Sequence, residues 1–270
     1  MTAAPSARIT APFDAAAAGY DDEFERQRVT RSLRSVVQGT LLGHFRPGAH
    51  VLELNCGTGT DAIALAGRRV RVTCIDSSPE MIAQAAAKAE RNGLGRLITF
   101  RELDFEQIDS AGFAEFDGAF SNFGGLNCSP RPGIVIGKVA RLMKPGSVLV
   151  ACLLNRTSLW ESAAFIARGR FSKAFRRWRP GGIDATVGGM PLHVWYYSPG
   201  GVAKMLAPWF EVIQIYGLSI VSPPPGAAAF ISSHPGLTDR LLRFDGAIRT
   251  MPPFRSLGDH FVVAARRISQ

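Results

Sequence analysis

The stretch VLELNCGTGTDAIALA, residues 51–66, constrains the fold more tightly than any other part of the chain. It reads as a buried strand that runs into a glycine loop and then a helix. The surrounding sequence continues the alternation. Val29, Leu33, Val36, Val37, Leu41 and Leu42 share one face of a helix predicted over residues 22–43, stopped by Gly43 and Pro47-Gly48, while the residues before it read as irregular. A second strand ends at Asp76. Ser78 and Pro79 then supply an N-cap and a first-turn proline for a helix carrying Met81, Ile82, Ala85, Ala86 and Ala89 on one face, which Asn92-Gly93 ends. Strands follow at residues 97–101 and 118–121, a helix at about 133–143, a turn at Lys144-Pro145-Gly146 and a strand at 148–154. Strands alternating with helices predict an α/β fold whose mostly parallel sheet carries helices on both faces.

Beyond residue 154 the regularity breaks. Residues 155–197 hold a basic, aromatic segment and the run GGMPLHVWYY. Ser198-Pro199 then opens a helix to about Ala207, and WFEVIQIYGL gives a strand. Pro223 to Pro225 lead into a second irregular region with a helix around residues 237–248, and DHFVVAARR closes the chain as a last strand. Charge divides at the same place: residues 1–150 carry 17 Lys/Arg against 16 Asp/Glu, residues 151–270 carry 14 against 6. An anionic partner would therefore meet the second part. The longest strongly apolar run, residues 148–154, is far shorter than the roughly 20 residues of a membrane span, and the first residues carry no apolar signal region. A soluble, cytoplasmic protein is expected. Cys56, Cys74, Cys128 and Cys152 are scattered without a C-x-x-C pair, which predicts reduced thiols and no metal site.

Gly57-Thr58-Gly59-Thr60-Asp61-Ala62 satisfies G-x-G-x-x-A, and Asp76 lies near the spacing at which a dinucleotide fold places its ribose-binding acid. A nicotinamide dinucleotide and S-adenosylmethionine (SAM) both fit that loop. A pyrophosphate at a helix N-terminus disfavours a nearby carboxylate. Glu53, four residues before Gly57, suits a cation such as the α-amino group of SAM.

Four segments in order, VLELNCGTGTD, CIDSSPEMI, FDGAFSNFGGLN and LMKPGSVLV, resemble the successive motifs of class I SAM-dependent methyltransferases of the small-molecule branch. The resemblance covers about residues 13–154 and extends more loosely through YYSPGGVAKMLAPWFEVI to residue 213. It implies a Rossmann-like seven-stranded sheet with a closing antiparallel strand, and SAM as methyl donor with S-adenosylhomocysteine as product. It also implies residue roles. Glu53 would reach the methionine part of SAM, and Gly57 and Gly59 would let the backbone pass close to the ligand. Asp76 would accept from both ribose hydroxyls, and Ser77 and Met81 would flank the adenine. Asp104, with Phe105 beside it, would accept from the adenine amino group, while Ser121 and Asn122 would face the transferable methyl. FDAAAAGYD, residues 13–21, resembles the lid of that branch, with Tyr20 near the SAM carboxylate. Where the family's pattern has its first glycine this chain has Asn55, a residue that tolerates left-handed backbone and is itself a candidate ligand contact.

The resulting organisation is a lid and helix over residues 1–45, a SAM-binding core over 46–154, a cap over the acceptor site at 155–197, and the rest of the sheet at 198–270 with a second insertion at about 219–257. His193 is the candidate general base, because an imidazole titrates near neutrality, with Tyr197 as a second candidate. Alternation through PLHVWYY would place His193, Trp195 and Tyr197 on one face. The competing reading makes His193 a packing residue, and His260, inside the last strand, reads as structural. Six Arg/Lys lie between Arg168 and Arg179, with Phe171, Phe175 and Trp178 spaced i, i+4, i+7. As a helix this is an apolar stripe in a cationic surround, suited to an anionic substrate, a carrier protein or a membrane surface. The alternative is a cap helix whose stripe packs on the sheet and whose arginines are solvated. Nucleic acid is disfavoured, since no RNA-binding module accompanies the charge. The expected reaction moves a methyl group to an oxygen, nitrogen or carbon atom of a small-molecule acceptor, a natural product, quinone-like compound or lipid precursor. An RNA methyltransferase, a SAM-binding protein without turnover and, more remotely, an NAD-dependent oxidoreductase are the competing readings.

Overall fold

Three helices precede the first strand in the computed structural model, which describes residues 5–269: α1 (Pro5–Ala16), α2 (Tyr20–Glu25) and α3 (Arg28–His44). α3 buries Val29, Leu33, Val37 and Leu41 along one face, the spacing read from the sequence. The stretch expected to be irregular is helical instead from Pro5 onward, and residues 1–4 lie outside the described residues. Its helicity comes from tertiary packing: α1 lies against a hairpin more than 160 residues away in the chain, contacts that no local pattern announces.

The core follows the predicted alternation closely: β1 (His50–Leu54), α4 (Thr60–Ala66), β2 (Arg71–Asp76), α5 (Pro79–Arg91), β3 (Ile98–Glu102), β4 (Phe116–Ser121), α6 (Pro132–Arg141) and β5 (Met143–Leu154). Ser78 caps α5 by accepting the Met81 N–H at 3.1 Å, ahead of Pro79 in the first turn. Lys144-Pro145-Gly146 is a bulge within β5 rather than a turn before it. Pairing with β4 jumps from Phe116↔Met143 to Gly118↔Val148, and Gly146 takes a left-handed φ of +81°.

The remainder comprises α7 (Leu159–Ala167), α8 (Phe171–Ala174), a hairpin of β6 (Ile183–Val187) and β7 (Met190–Val194), α9 (Pro199–Leu206), β8 (Phe210–Leu218), α10 (Ala228–Ser233), α11 (Pro235–Ile248) and β9 (His260–Arg267). The basic segment is not one helix: it divides into α8 and a 3-10 turn at Arg176–Trp178. The strand within PLHVWYY ends at Val194; Trp195 still packs edge-on against His193 at 4.5 Å between ring centroids, whereas Tyr197 turns its hydroxyl to the Ser129 carbonyl.

One seven-stranded sheet runs in the order β3-β2-β1-β4-β5-β9-β8. β1 to β5 are mutually parallel, and β9 inserts antiparallel between β5 and β8. This is the Rossmann-like architecture with its closing antiparallel strand. Both faces are covered. Val51, Phe120 and Val262 meet Leu33 and Leu41 of α3 on one side, while Leu52, Ala119 and Phe261 meet Val135 and Val139 of α6 on the other. Strand order reverses between β1 and β4, which opens a crevice at the strands' carboxyl ends. Because β9 is antiparallel and pairs Leu154 with His260, its first residue lies at that same edge.

Candidate active site

A cavity of about 320 Å³ occupies the crevice, within the usual range for small-molecule sites. Its floor comes from the turns after β1 and β2. Asn55, Gly57 and Gly59 hold φ of +50°, +53° and +74°, so the asparagine does adopt the left-handed backbone expected of it. A methyl group on Gly57 would meet no protein atom within 4 Å and would stand in the cavity that this residue lines. Asp76 fixes the loop: its Oδ2 accepts the Gly57 N–H at 2.8 Å and its Oδ1 accepts the Ser78 N–H at 3.0 Å. Burial raises the Asp76 carboxyl above its ordinary range, against the lowering effect of those two amides.

Glu53 is 2% exposed at the end of β1, where burial, then the charge of Asp61, lift its carboxyl well above the usual value. Cys74 Sγ donates to it at 3.4 Å. Asp61 in the first turn of α4 is held by three donors: Arg34 Nη1 at 2.8 Å, Gln38 Nε2 at 2.8 Å and Asn122 Nδ2 at 2.7 Å. The network ties α3, α4 and the end of β4 together beside the cavity. Asp61 stands in the glycine motif without an assigned role and Arg34 outside any motif; 27 residues apart, they meet only through packing.

The N-terminal helices close one side. Phe13, Tyr20 and Phe24 line the cavity, and burial pushes the Tyr20 phenol up to about 12. Two carboxylates pin these helices to the floor. Asp14 Oδ1 accepts from Ser78 Oγ at 2.5 Å, and Asp21 accepts from Thr58 Oγ1 at 2.5 Å and pairs with Lys88.

Ser77, Met81, Phe105 and Asn122 also line the cavity, as do Tyr20, Glu53, Asn55, Gly57 and Asp76. Three expected contacts do not. Gly59 faces the protein, where an added Cβ would lie 3.0 Å from that of Ala85. Asp104 caps the 3-10 turn after β3, its Oδ1 accepting the Glu106 N–H at 2.8 Å, and Ser121 donates to Asn55 Oδ1 at 2.8 Å.

The other half of the cavity is apolar, walled by Phe123, Leu154, Ala185, Val187, Leu192 and Val194. The period-2 geometry that sends Leu192 and Val194 of β7 inward sends His193 outward. Its side chain is 42% exposed and hydrogen-bonds Asp184 at 2.7 Å and the Gly181 carbonyl at 2.6 Å, outside the cavity. Tyr197 gives its hydroxyl to the Ser129 carbonyl at 2.6 Å and does not line the cavity either. The geometry therefore differs from both expectations: neither His193 nor Tyr197 lines the cavity. The histidine that does line the cavity is His260, which the sequence reading had assigned to the strand alone.

The basic segment also differs from both of its readings. Arg177 is buried, its Nη2 lying 2.6 Å from Glu161 Oε2 and 2.6 Å from Asp259 Oδ1, and Arg176 pairs with the other oxygen of Glu161. Phe171, Phe175 and Trp178 are each more than half exposed, so the stripe does not pack on the sheet.

A family model described as "Methyltransferase domain" matches residues 45–179, half of the chain. A ubiquinone biosynthesis O-methyltransferase of Xylella fastidiosa is 34% identical over 110 residues, which are 41% of this chain and 44% of that protein. A phosphatidylethanolamine N-methyltransferase of Cereibacter sphaeroides is 35% identical over 103 residues, 38% of this chain and 49% of that protein. The matched stretches thus span at most about half the length of these relatives. Among solved structures, the CcbJ methyltransferase of Streptomyces caelestis superposes with a TM-score of 0.61 at 17% identity, covering 97% of this chain and 99% of that one, a likeness of fold.

Proposed function

Because this chain belongs to the methyltransferase domain family, we propose that it transfers a methyl group from SAM to an oxygen, nitrogen or carbon atom of a small, largely apolar acceptor. The observation that carries this reading is the division of one cavity into two chemically different halves. Glu53, Asn55, Gly57, Asp76, Ser77 and Met81 form a polar floor at the strand ends, and the β6–β7 hairpin roofs an apolar chamber beside it.

The floor fits SAM. The bare Cα of Gly57 leaves room where a side chain would intrude, the half-buried Asp76 carboxyl at the cavity wall is placed for hydroxyl donors, and Glu53 offers a desolvated acid to a cation. When bound, SAM supplies a methyl group already activated by its sulfonium. The chain's part is to hold acceptor and donor in line and to keep water out, which the lid residues Phe13, Tyr20 and Phe24 do from one side and the hairpin from the other. The names of the two curated relatives support an oxygen or nitrogen acceptor.

The exposed Phe171, Phe175 and Trp178 among Arg168, Arg170, Lys173 and Arg179 support a docking role for the cap on an anionic membrane surface. That placement suits an apolar acceptor delivered from lipid.

Parallel calorimetric titrations with SAM, S-adenosylhomocysteine and NAD test the reading. Micromolar binding of the first two and none of NAD is expected. Binding of NAD alone would overturn it and return the glycine loop to a dinucleotide.

A further inference from the structure

We infer that His260 takes the proton from the acceptor during methyl transfer, and that the acceptor is accordingly a hydroxyl compound acidic enough for an imidazole to deprotonate, a phenol or enol. The inference rests on the methyltransferase reading above and names the substrate class for that site.

Position comes first. His260 opens β9 opposite Leu154, at the edge of the sheet where β1 and β2 deliver Glu53 and Asp76, and it lines the cavity while only 7% exposed. Its ring meets the edge of Phe123 at 5.9 Å between centroids. Phe123 directly follows Asn122 and belongs to the apolar half of the cavity, so His260 lies on the acceptor side.

Nδ1 is buried and lies 3.0 Å from Asp259 Oδ2 without the alignment of a hydrogen bond, a charge contact only, while the ring as a whole lines the cavity. Asp259 is itself immobilised. Its Oδ1 is 2.6 Å from Arg177 Nη2, and Arg177 also reaches the Asn155 and Asp259 carbonyls through Nη1 and Glu161 through Nε and Nη2. Burial alone would raise the Asp259 carboxyl, but Arg177 holds it well below the usual range, so the group facing Nδ1 is a carboxylate. A carboxylate 3.0 Å from an imidazole stabilises the imidazolium that forms.

The other titratable groups of the cavity are unsuited to the task. Burial pushes Tyr20 and Cys128 each up to about 12; the hydrogen bond with Cys74 lowers Cys56, but burial and the nearby Glu53 outweigh it and carry the thiol to about 11, so all three keep their protons at neutral pH. Asp61 is engaged by Arg34, Gln38 and Asn122, while Glu53 and Asp76 sit on the floor where the donor binds.

The step balances. As the acceptor oxygen forms its bond to the methyl carbon, its O–H bond breaks and the proton moves to Nε2. The carbon–sulfur bond breaks with its electron pair remaining on sulfur, so the positive charge leaves the sulfonium and reappears on the imidazolium beside Asp259. A free amine acceptor needs no such base in the attacking step.

The test uses the full chain with S-adenosylhomocysteine bound and 4-nitrocatechol as probe, because the ionised dye absorbs separately from the neutral one. In the unsubstituted protein the bound dye is expected to ionise at least about one pH unit below the free dye. His260→Gln and His260→Asn should abolish that shift with S-adenosylhomocysteine affinity unchanged, and should slow methylation of the same catechol roughly 10²- to 10⁴-fold. Asp259 is a positioning residue, so Asp259→Asn should displace the pH profile of the rate rather than the affinity for S-adenosylhomocysteine. Binding of the dye in its neutral form, an unchanged shift in the His260 variants, or no dye binding to a protein that does bind S-adenosylhomocysteine would each overturn the inference. Failure to bind S-adenosylhomocysteine at all would instead overturn the methyltransferase reading.

Discussion

At Gly57 the local conformation and the ligand space make the same demand, and one substitution measures both. Gly57→Ala places a side chain at a φ of +53°, which costs roughly 1–2 kcal/mol, and puts its methyl into the cavity rather than against protein. A small loss of stability is expected together with at least about tenfold weaker SAM binding by calorimetry; unchanged affinity would remove Gly57 from the ligand's path. Glu53 carries a different signature. Burial, then Asp61, raise its carboxyl well above 4.5, so it keeps its proton at a pH where an exposed glutamate would not. A bound ammonium favours the ionised form, so binding SAM should release a proton, and affinity should climb as pH rises from about 4.5 to the raised value. Calorimetry in two buffers of different ionisation enthalpy counts that proton, and proton uptake would contradict the assignment. These floor residues were legible in the sequence because a strand, a tight turn and a helix place neighbouring residues by local geometry. Asp104 shows the limit of that legibility: it has the expected residue type at the expected spacing, yet its side chain caps its own turn.

The segment from α7 to β7 obeys its ion pairs rather than its periodicity. Phe171, Phe175 and Trp178 have helical spacing, but Glu161 and Asp259 hold Arg177 inward, and the chain breaks into α8 and a 3-10 turn. Removing the arginine would strip the buried Asp259 of its guanidinium partner and leave Glu161 with Arg176 alone. Arg177→Met is therefore expected to destabilise the protein by about 3–5 kcal/mol, read from denaturant unfolding. A loss below about 1 kcal/mol would mean that solvent reaches this cluster. The β6–β7 hairpin teaches the complementary lesson. Its alternation was readable, but which of its two faces meets the cavity was decided by α1 packing on it, and that choice sends Leu192 and Val194 inward and His193 out.

Across the molecule, the positive surplus of the second part gathers with exposed aromatics on the cap, and no helix among the described residues is long and apolar enough to cross a membrane. Binding to the surface of anionic vesicles is expected to weaken steeply with salt and to fall when Phe175 and Trp178 are both replaced by Ser, whereas neutral vesicles should retain little protein. Equal retention on neutral and anionic vesicles would dismiss the charged face as a docking surface. Order along the chain was enough to determine the α/β class, the strand–loop–helix floor and the family, because hydrophobic period, caps and glycine turns act within a few residues of one another. Only the tertiary structure decided the acceptor half. Phe13, Arg177, Val194 and His260 come from distant parts of the chain, and they converge because β9 runs antiparallel and starts at the edge where the parallel strands end.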